Sequence, residues 1–167
     1  RPRRRAPDYR LYMDVSRRAR EIYYDYTDRV EPSADEAWLD VTGTRRCLGL
    51  SPPDSPRGKR AHGRELGISV SVGVSWNKIF AKFGSDYKKP DAVTVITREN
   101  YREVVWQALC ATCSRRPATE RKLHSSGIDT IGQLACASDE LLRNRLGKMG
   151  FVLRGFARGQ DATEVKP

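Results

Sequence analysis

The clearest pattern in the chain is a strict alternation over Ile68–Trp76, where bulky apolar residues take every second position and serine or glycine the positions between. Successive side chains of a strand point to opposite faces, so this pattern predicts a half-buried strand with a bulky face and a small face. The small face lets another element approach the backbone closely. A second, shorter strand is predicted over Asp91–Ile96.

Helical spacing flanks these strands. Apolar residues recur at three- and four-residue steps over Asp8–Tyr26, which predicts an amphipathic helix with Asp8 as its N-cap. Either Ser75 or Asn77 is expected to begin a second helix. A third helix is predicted over Thr97–Leu109, with its first residue as the cap.

The last third of the chain contains only short helical segments. Helices are predicted over Pro117–Leu123, from Thr130 onward and over Asp139–Leu146, with a turn at Ser125–Ile128. The elements together predict an α+β fold, in which helices cover one face of an antiparallel or mixed sheet and a small all-α unit follows. Over 45–64, prolines and basic residues leave no regular period, and we expect a disordered basic loop there.

The excess of basic residues favours the binding of polyanions. The 167 residues carry a formal net charge of +10, with 38% hydrophobic and 31% charged residues. Such a basic chain is suited to nucleic acid or to an anionic membrane surface. The arginines do not lie opposite an apolar helical face, which disfavours the membrane. Without an apolar run of about 18 residues or a signal peptide, a cytoplasmic location is expected.

Two adjacent carboxylates, Asp35 and Glu36, stand at the entrance of a strand-forming stretch within Val30–Thr42. One interpretation is a solvated turn, since charged side chains are mostly exposed. The other is a site for a hard divalent cation, because Mg²⁺ takes one or two carboxylates together with substrate phosphates.

Three lysines form a second candidate site. Lys78 and Lys82 are four residues apart, and Lys89 follows seven residues later. At about 100° per residue all three project within roughly 40° of one another if the helix continues that far. A row of ammonium groups suits phosphates, although it is also typical of a solvated helix face.

Two stretches carry a family resemblance. Ser33–Thr42 and Ser71–Pro90 resemble, in the same order, the two palm signatures of the Y-family or translesion DNA polymerases, and are most similar to the bacterial DNA polymerase IV branch. Asp8–Tyr26 resembles the palm helix that precedes the acidic signature. The resemblance implies a partial palm over 1–107, without the N-terminal strand and fingers, and a thumb with a helix-hairpin-helix-like unit over 108–167.

The resemblance also implies roles for individual residues. Asp35 is expected to bind metal, with Glu36 beside it near the primer end and able to share the ion; the two-metal Mg²⁺ site is incomplete in this chain. Lys89 is expected to touch the incoming triphosphate. The remaining nucleotide- and DNA-binding positions implied are Ser33, Lys78, Lys82, Arg121 and Lys122.

The function implied is Mg²⁺-dependent, template-directed nucleotidyl transfer in DNA damage bypass and repair, with a DNA primer-template and a deoxynucleoside triphosphate as partners. A sliding clamp is a further partner to consider for a full-length protein. The missing motifs lead us to expect a fragment that is inactive alone. The alternative from another class is a non-catalytic, sequence-independent DNA-binding module.

Two features depart from the family or stand outside it. A Gly-apolar-Gly turn would be expected before Pro117, where this chain has Cys113–Arg116. The nearby Cys110-x-x-Cys113 pair could be half of a zinc site or a redox pair, but structural zinc needs four ligands at workable spacing. The absence of a second such pair and the isolation of both histidines disfavour a metal or redox role and leave the role of the pair open.

Overall fold

The computed structural model describes residues 7–33, 35–44, 65–110 and 117–167. The described residues form two compact units, one running to Val70 and including Glu164–Pro167, and the other comprising Ser71–Thr163. The described elements are α1 (Tyr9–Tyr24), β1 (Val30–Pro32), β2 (Ala37–Leu39), β3 (Val72–Val74), α2 (Lys78–Tyr87), β4 (Val93–Val95), α3 (Tyr101–Val105), α4 (Pro117–His124), α5 (Ile131–Cys136), α6 (Asp139–Leu146) and α7 (Lys148–Ala157).

Two sequence predictions fall outside that description. The basic loop predicted over 45–64 and the departure at Cys113–Arg116 both lie beyond the described residues. Among the helices that the structure describes, none has the length and apolar character needed to cross a bilayer.

Helix α1 of the first unit forms as its sequence predicts. The Asp8 side chain accepts a hydrogen bond from the Leu11 backbone N–H at 3.1 Å, so it caps the helix as expected. Ala19 and Ile22, from the predicted apolar stripe, are buried. The predicted stripe is confirmed at these two residues, whereas Tyr12, which was also expected in the core, is 55% exposed.

Strand β3 is much shorter than the alternating stretch predicts. Within the described residues, only Val72–Val74 of this stretch is paired as a strand, with the parallel strand β4 over Val93–Val95. Hydrogen bonds from Val72 to Ala92 and from Ile96 to Val74, both 2.8 Å, close the two ends of the ladder. The alternating pattern predicts extended residues, whereas the length of the strand depends on the backbone partner that is available.

Helix α2 packs on the small face of β3. A β-carbon built on Gly73 would lie 1.8 Å from the carbonyl oxygen of Ala81, and one built on Gly84 would lie 3.1 Å from the Gly73 α-carbon. Helix and strand therefore touch backbone to backbone, as the small face predicts. Asn77 begins the helix and accepts the Phe80 N–H at 2.8 Å, which decides between the two predicted caps.

Helix α3 begins later and ends earlier than predicted. The Thr97 hydroxyl accepts the N–H groups of Glu99 and Asn100 at 3.3 Å, which closes a turn, and Asn100 is the residue before the helix. After Val105 the chain leaves the helix to pair with a later segment, since the Cys110 N–H donates to Asp129 at 2.7 Å. The prediction of a helix over Thr97–Leu109 is therefore wrong at both ends.

The second unit has one apolar core that the strand-associated helices and the later short helices share. Thr130 and Gln133 form a capping box at the start of α5, which confirms the predicted start. Helix α7 was not predicted, because its buried stripe contains the small residues Gly150 and Ala157. The buried core members are Phe80, Phe83, Ile96, Val105, Cys110, Leu123, Ile128, Ile131, Leu134, Ala135, Leu142 and Ala157.

We expect Gly73→Ala to destabilise the protein by about 3 kcal/mol or more, at the upper end of what overpacking costs. The reason is that the new methyl group would overlap the Ala81 carbonyl, which is helix backbone and cannot rotate away. Urea denaturation measures the effect.

The matched control is Gly155→Ala, where a β-carbon has nothing nearer than 3.8 Å. There the free energy of unfolding should stay the same or rise by up to about 1 kcal/mol, as expected for alanine in a helix. Equal effects of the two substitutions would contradict the close packing at Gly73.

Candidate functional site

The acidic pair lies in a tight β-hairpin of the first unit. Strands β1 and β2 are antiparallel, with Val30 opposite Leu39. The Ser33 N–H donates to the Glu36 carbonyl at 2.8 Å, which closes the loop and leaves Asp35 at its tip. Asp35 is exposed and Glu36 is half-buried. The hairpin therefore brings Ser33 and the two carboxylates together, as the sequence predicts.

The base of the same hairpin is fixed by a threonine that sequence reasoning did not single out. Thr27 is 5% exposed, and its hydroxyl donates to the Asp40 carbonyl at 2.7 Å while accepting the Arg29 N–H at 3.1 Å. Asp40 in turn accepts the Thr42 N–H at 3.0 Å and faces Arg29 at 3.5 Å. Hydrogen bonds from Thr42, helped by Arg29, hold the pKa of the Asp40 carboxyl below its usual range.

The carboxylates of this hairpin thus have different environments. The Asp40 carboxylate accepts a hydrogen bond at the base of the hairpin, whereas Asp35 is exposed at the tip beside Glu36. Two neighbouring hard oxygen donors fit part of the ligand set of a divalent cation, with phosphates or water as the rest. In the part of the chain that the structure describes, no group of three or more His, Cys, Asp or Glu side chains is placed to hold a metal.

The predicted lysines lie in the second unit. Lys78 and Lys82 are both in α2, where four residues place them on one face of the helix, as predicted. Lys89 is not, because α2 ends at Tyr87 and Lys88 caps it. The angular argument for Lys89 is therefore wrong.

Lys89 and Lys82 nevertheless contact the same carboxylate, that of Asp86, which the sequence analysis did not single out. Asp86 contacts the Lys89 ammonium at 2.6 Å through Oδ1 and the Lys82 ammonium at 2.9 Å through Oδ2. Partial burial would raise the pKa of Asp86, but hydrogen bonds from the two lysines outweigh it and lower that pKa. The spacing of Asp86, four after Lys82 and three before Lys89, was the available signal.

The other predicted basic residues, Arg121 and Lys122, are exposed on α4. The Arg121 guanidinium donates to the Pro117 carbonyl at 3.3 Å. The Lys122 carbonyl accepts the hydroxyls of Ser125 and Ser126 at 3.0 and 2.9 Å, which closes the turn towards α5. The predicted turn is confirmed, and Arg121 and Lys122 stand together just before it.

Of the two cysteines in the Cys110-x-x-Cys113 pair, Cys113 lies outside the described residues. Cys110 is 3% exposed and belongs to the apolar core.

A family model and the sequences of related proteins both match this chain. Residues 4–86 match the impB/mucB/samB family. DNA polymerase IV of Acetivibrio thermocellus is 44% identical over 160 residues, an alignment that takes in 95% of this chain and 40% of that protein. DNA polymerase IV of Clostridioides difficile is 39% identical over 163 residues, covering 96% of this chain and 45% of that protein.

Solved structures agree on the fold. DinB from Sulfolobus solfataricus superimposes with a TM-score of 0.82 at 24% identity, over 95% of this chain and 48% of that one. An insertion ternary complex of Dbh DNA polymerase gives a TM-score of 0.81 at 24% identity, over 95% and 47%.

The chain therefore belongs to the impB/mucB/samB family, and its fold is that of the Y-family DNA polymerases. It is DNA polymerase IV-like in sequence and spans less than half the length of the relatives quoted. The family predicted from Ser33–Thr42 and Ser71–Pro90 is confirmed.

One titratable contact beside the basic helix allows a pH test. The pKa of His124 is raised above the ordinary 6.5, mainly by its hydrogen bond to Asp129 and next by the negative charge of that carboxylate. A raised folded-state pKa means that the contact stabilises the fold below pH about 6.5, and that this stabilisation is lost as the pH rises through the folded-state pKa. We expect Asp129→Asn to lower the pKa of His124 in an NMR titration.

The matched control for that titration is Glu140→Gln, which removes one exposed negative charge elsewhere in the second unit. It should leave the His124 titration unchanged. The same pKa in wild type and Asp129→Asn would show that the ion pair does not form in solution.

Proposed function

We propose that this chain contributes palm and thumb parts to an error-prone translesion DNA polymerase, which extends a primer opposite a damaged template by divalent-metal-dependent nucleotidyl transfer. The observation that carries the proposal is the exposed Asp35 at the hairpin tip with the half-buried Glu36 beside it, inside the segment that matches the family. A solvated turn alone does not explain why the hairpin base is built so firmly around Thr27 while its tip keeps two acids.

Asp35 and Glu36 are the residues that would hold the metal, with Mg²⁺ as the proposed ion. When bound, such ions activate the primer hydroxyl and stabilise the charge on the leaving pyrophosphate. The chain's own contribution is positional: the closed hairpin fixes both carboxylates at one point of the first unit. A two-metal site needs further ligands than these two residues supply.

The lysines and the basic helix have separate proposed roles. Lys89 binds the triphosphate of the incoming deoxynucleotide, with Lys78 and Lys82 of α2 as supporting cations. Ser33 lies beside the acidic pair. Arg121 and Lys122 contact the phosphates of the primer-template. Their exposure on α4 supports this role, since phosphate contacts position DNA without reading its sequence.

For the domain organisation we propose a partial palm over 1–107 and a thumb over 108–167. The α4–turn–α5 segment supports a helix-hairpin-helix-like unit: a serine- and glycine-containing turn joins two short helices, and Gly127 takes a positive φ of 71°. We further propose that the 167 residues alone do not polymerise DNA; recruitment of a sliding clamp would involve the larger protein.

A second candidate function is a non-catalytic, sequence-independent DNA-binding module. The net charge of +10 and the exposed basic residues of α4 favour it independently of the acidic hairpin. The two functions differ in whether Asp35 matters, and the next experiment separates them.

We expect Asp35→Asn to lower primer extension by about a hundredfold or more, because loss of a metal ligand costs at least as much as loss of an outer-shell partner. The measurement uses DNA polymerase IV of Acetivibrio thermocellus with its matching segment replaced by this chain, assayed with Mg²⁺. Asp28→Asn is the control, since Asp28 is an exposed acid of the same unit.

Activity should survive in the Asp28→Asn chimera. Full activity in the Asp35→Asn chimera would overturn the catalytic proposal and leave the DNA-binding module as the better description.

We also expect the 167-residue chain to bind duplex DNA weakly and without sequence preference. The basic excess acts through phosphates, so the affinity should fall at least about tenfold between 50 and 200 mM KCl. Replacing both Arg121 and Lys122 by glutamine should make the logarithmic salt slope shallower by about 2. Fluorescence anisotropy with two unrelated duplexes measures both effects; salt-insensitive or sequence-selective binding would contradict them.

A further inference from the structure

We infer that Asp86 is a positioning residue for the nucleotide triphosphate, which holds the Lys89 ammonium group beside that of Lys82 so that both can face one polyphosphate. This inference rests on the proposed role of Lys89 and extends it. It assigns a function to a carboxylate that lies between the two basic residues instead of at the acidic hairpin.

The Asp86 carboxylate bridges the two lysines. One oxygen of Asp86 lies 2.6 Å from the Lys89 nitrogen and the other lies 2.9 Å from the Lys82 nitrogen. Distances in this range are those of short, charge-assisted hydrogen bonds. A single carboxylate therefore sets the separation of two ammonium groups that would otherwise repel each other.

The three side chains differ in how firmly their surroundings hold them. Lys82 is 22% exposed and Asp86 is 38% exposed, and both belong to α2. Lys89 is 53% exposed and follows the end of that helix. Asp86 thus links Lys89, which lies beyond the end of the helix, to Lys82, which lies within it.

Preorganisation is the physical benefit. A lysine side chain loses much rotamer freedom when it binds a ligand, and a side chain already held in place loses less at that moment. An ammonium group has three N–H donors, so a bond to Asp86 leaves others for phosphate oxygens. The two lysines and Asp86 together still carry a net charge of +1, which attracts a polyphosphate.

The opposite role is also physically possible and makes the opposite prediction. If Asp86 were a resting counter-ion that phosphate must displace, its removal would strengthen nucleotide binding. If it only stabilised the end of α2, its removal would act independently of Lys89. The sign of the effect and its dependence on Lys89 therefore decide between the three roles.

The experiment measures binding of Mg²⁺-deoxyadenosine triphosphate to the 167-residue chain by isothermal titration calorimetry. We expect Lys89→Ala to weaken binding by about ten- to a hundredfold, the cost of a lost charged contact. Asp86→Asn should weaken it about three- to tenfold. The double variant should bind no more than twofold worse than Lys89→Ala alone, because Asp86 acts through Lys89.

Two further variants sharpen the test. Asp86→Glu keeps the negative charge and should recover part of the loss seen with asparagine. Glu140→Gln removes one exposed negative charge of the second unit away from these lysines and should not change binding. NMR relaxation of the lysine ε-carbons, without nucleotide, should show greater mobility of Lys89 in Asp86→Asn than in wild type.

Tighter binding by Asp86→Asn, or a fully additive loss in the double variant, would overturn the positioning role while leaving the proposed function intact. Unchanged binding by Lys89→Ala, or no nucleotide binding by the wild-type chain, would instead remove Lys89 from a nucleotide site and overturn both the positioning role of Asp86 and the proposed role of Lys89.

Discussion

The second unit depends on one close approach, between the backbone of strand β3 and the backbone of helix α2. At Gly73 there is no room for even a methyl group below the Ala81 carbonyl, and Gly84 faces the same contact from the helix. Interiors packed at this density transmit displacement instead of absorbing it. The position of every side chain on α2, including the lysines, is therefore set by two residues that have no side chain.

A second set of contacts fixes the start of the same helix. The carbonyl of Gly159, just after α7, accepts hydrogen bonds from the Asn77 amide at 3.0 Å and from the Trp76 indole at 3.3 Å. The Trp106 indole donates to the Ala157 carbonyl at 3.0 Å. The residues around the end of α7 are thus tied to the start of α2, the helix that carries Lys78 and Lys82.

The acidic hairpin follows a different principle. Its rigidity comes from hydrogen bonds, with the buried Thr27 hydroxyl donating to one strand-end carbonyl and accepting from the chain that enters the hairpin. Asp40 contributes to that base, while Asp35 remains at the tip. Two aspartates of one short motif therefore have unlike roles: one helps to build the loop, and the other is presented by it. A chain that uses carboxylates for chemistry needs such a division, because a carboxylate bound within the fold is not free to bind a ligand.

The sequence by itself determined the family, the cap at Asp8, the helix α6 and the presence of an acidic and a basic candidate site, because these depend on residues that are near one another along the chain. It left the cap of α2 open between Ser75 and Asn77. The tertiary structure alone decided where β3 and α3 end, since a strand extends only as far as its partner and α3 gives way to pairing at Asp129. It also decided the place of Lys89. Its angle on an uninterrupted helix was calculable from spacing, but the helix stops at Tyr87, and the lysine is placed instead by Asp86. Periodicity describes a regular element; only the folded chain shows where that element stops and which side chain takes over.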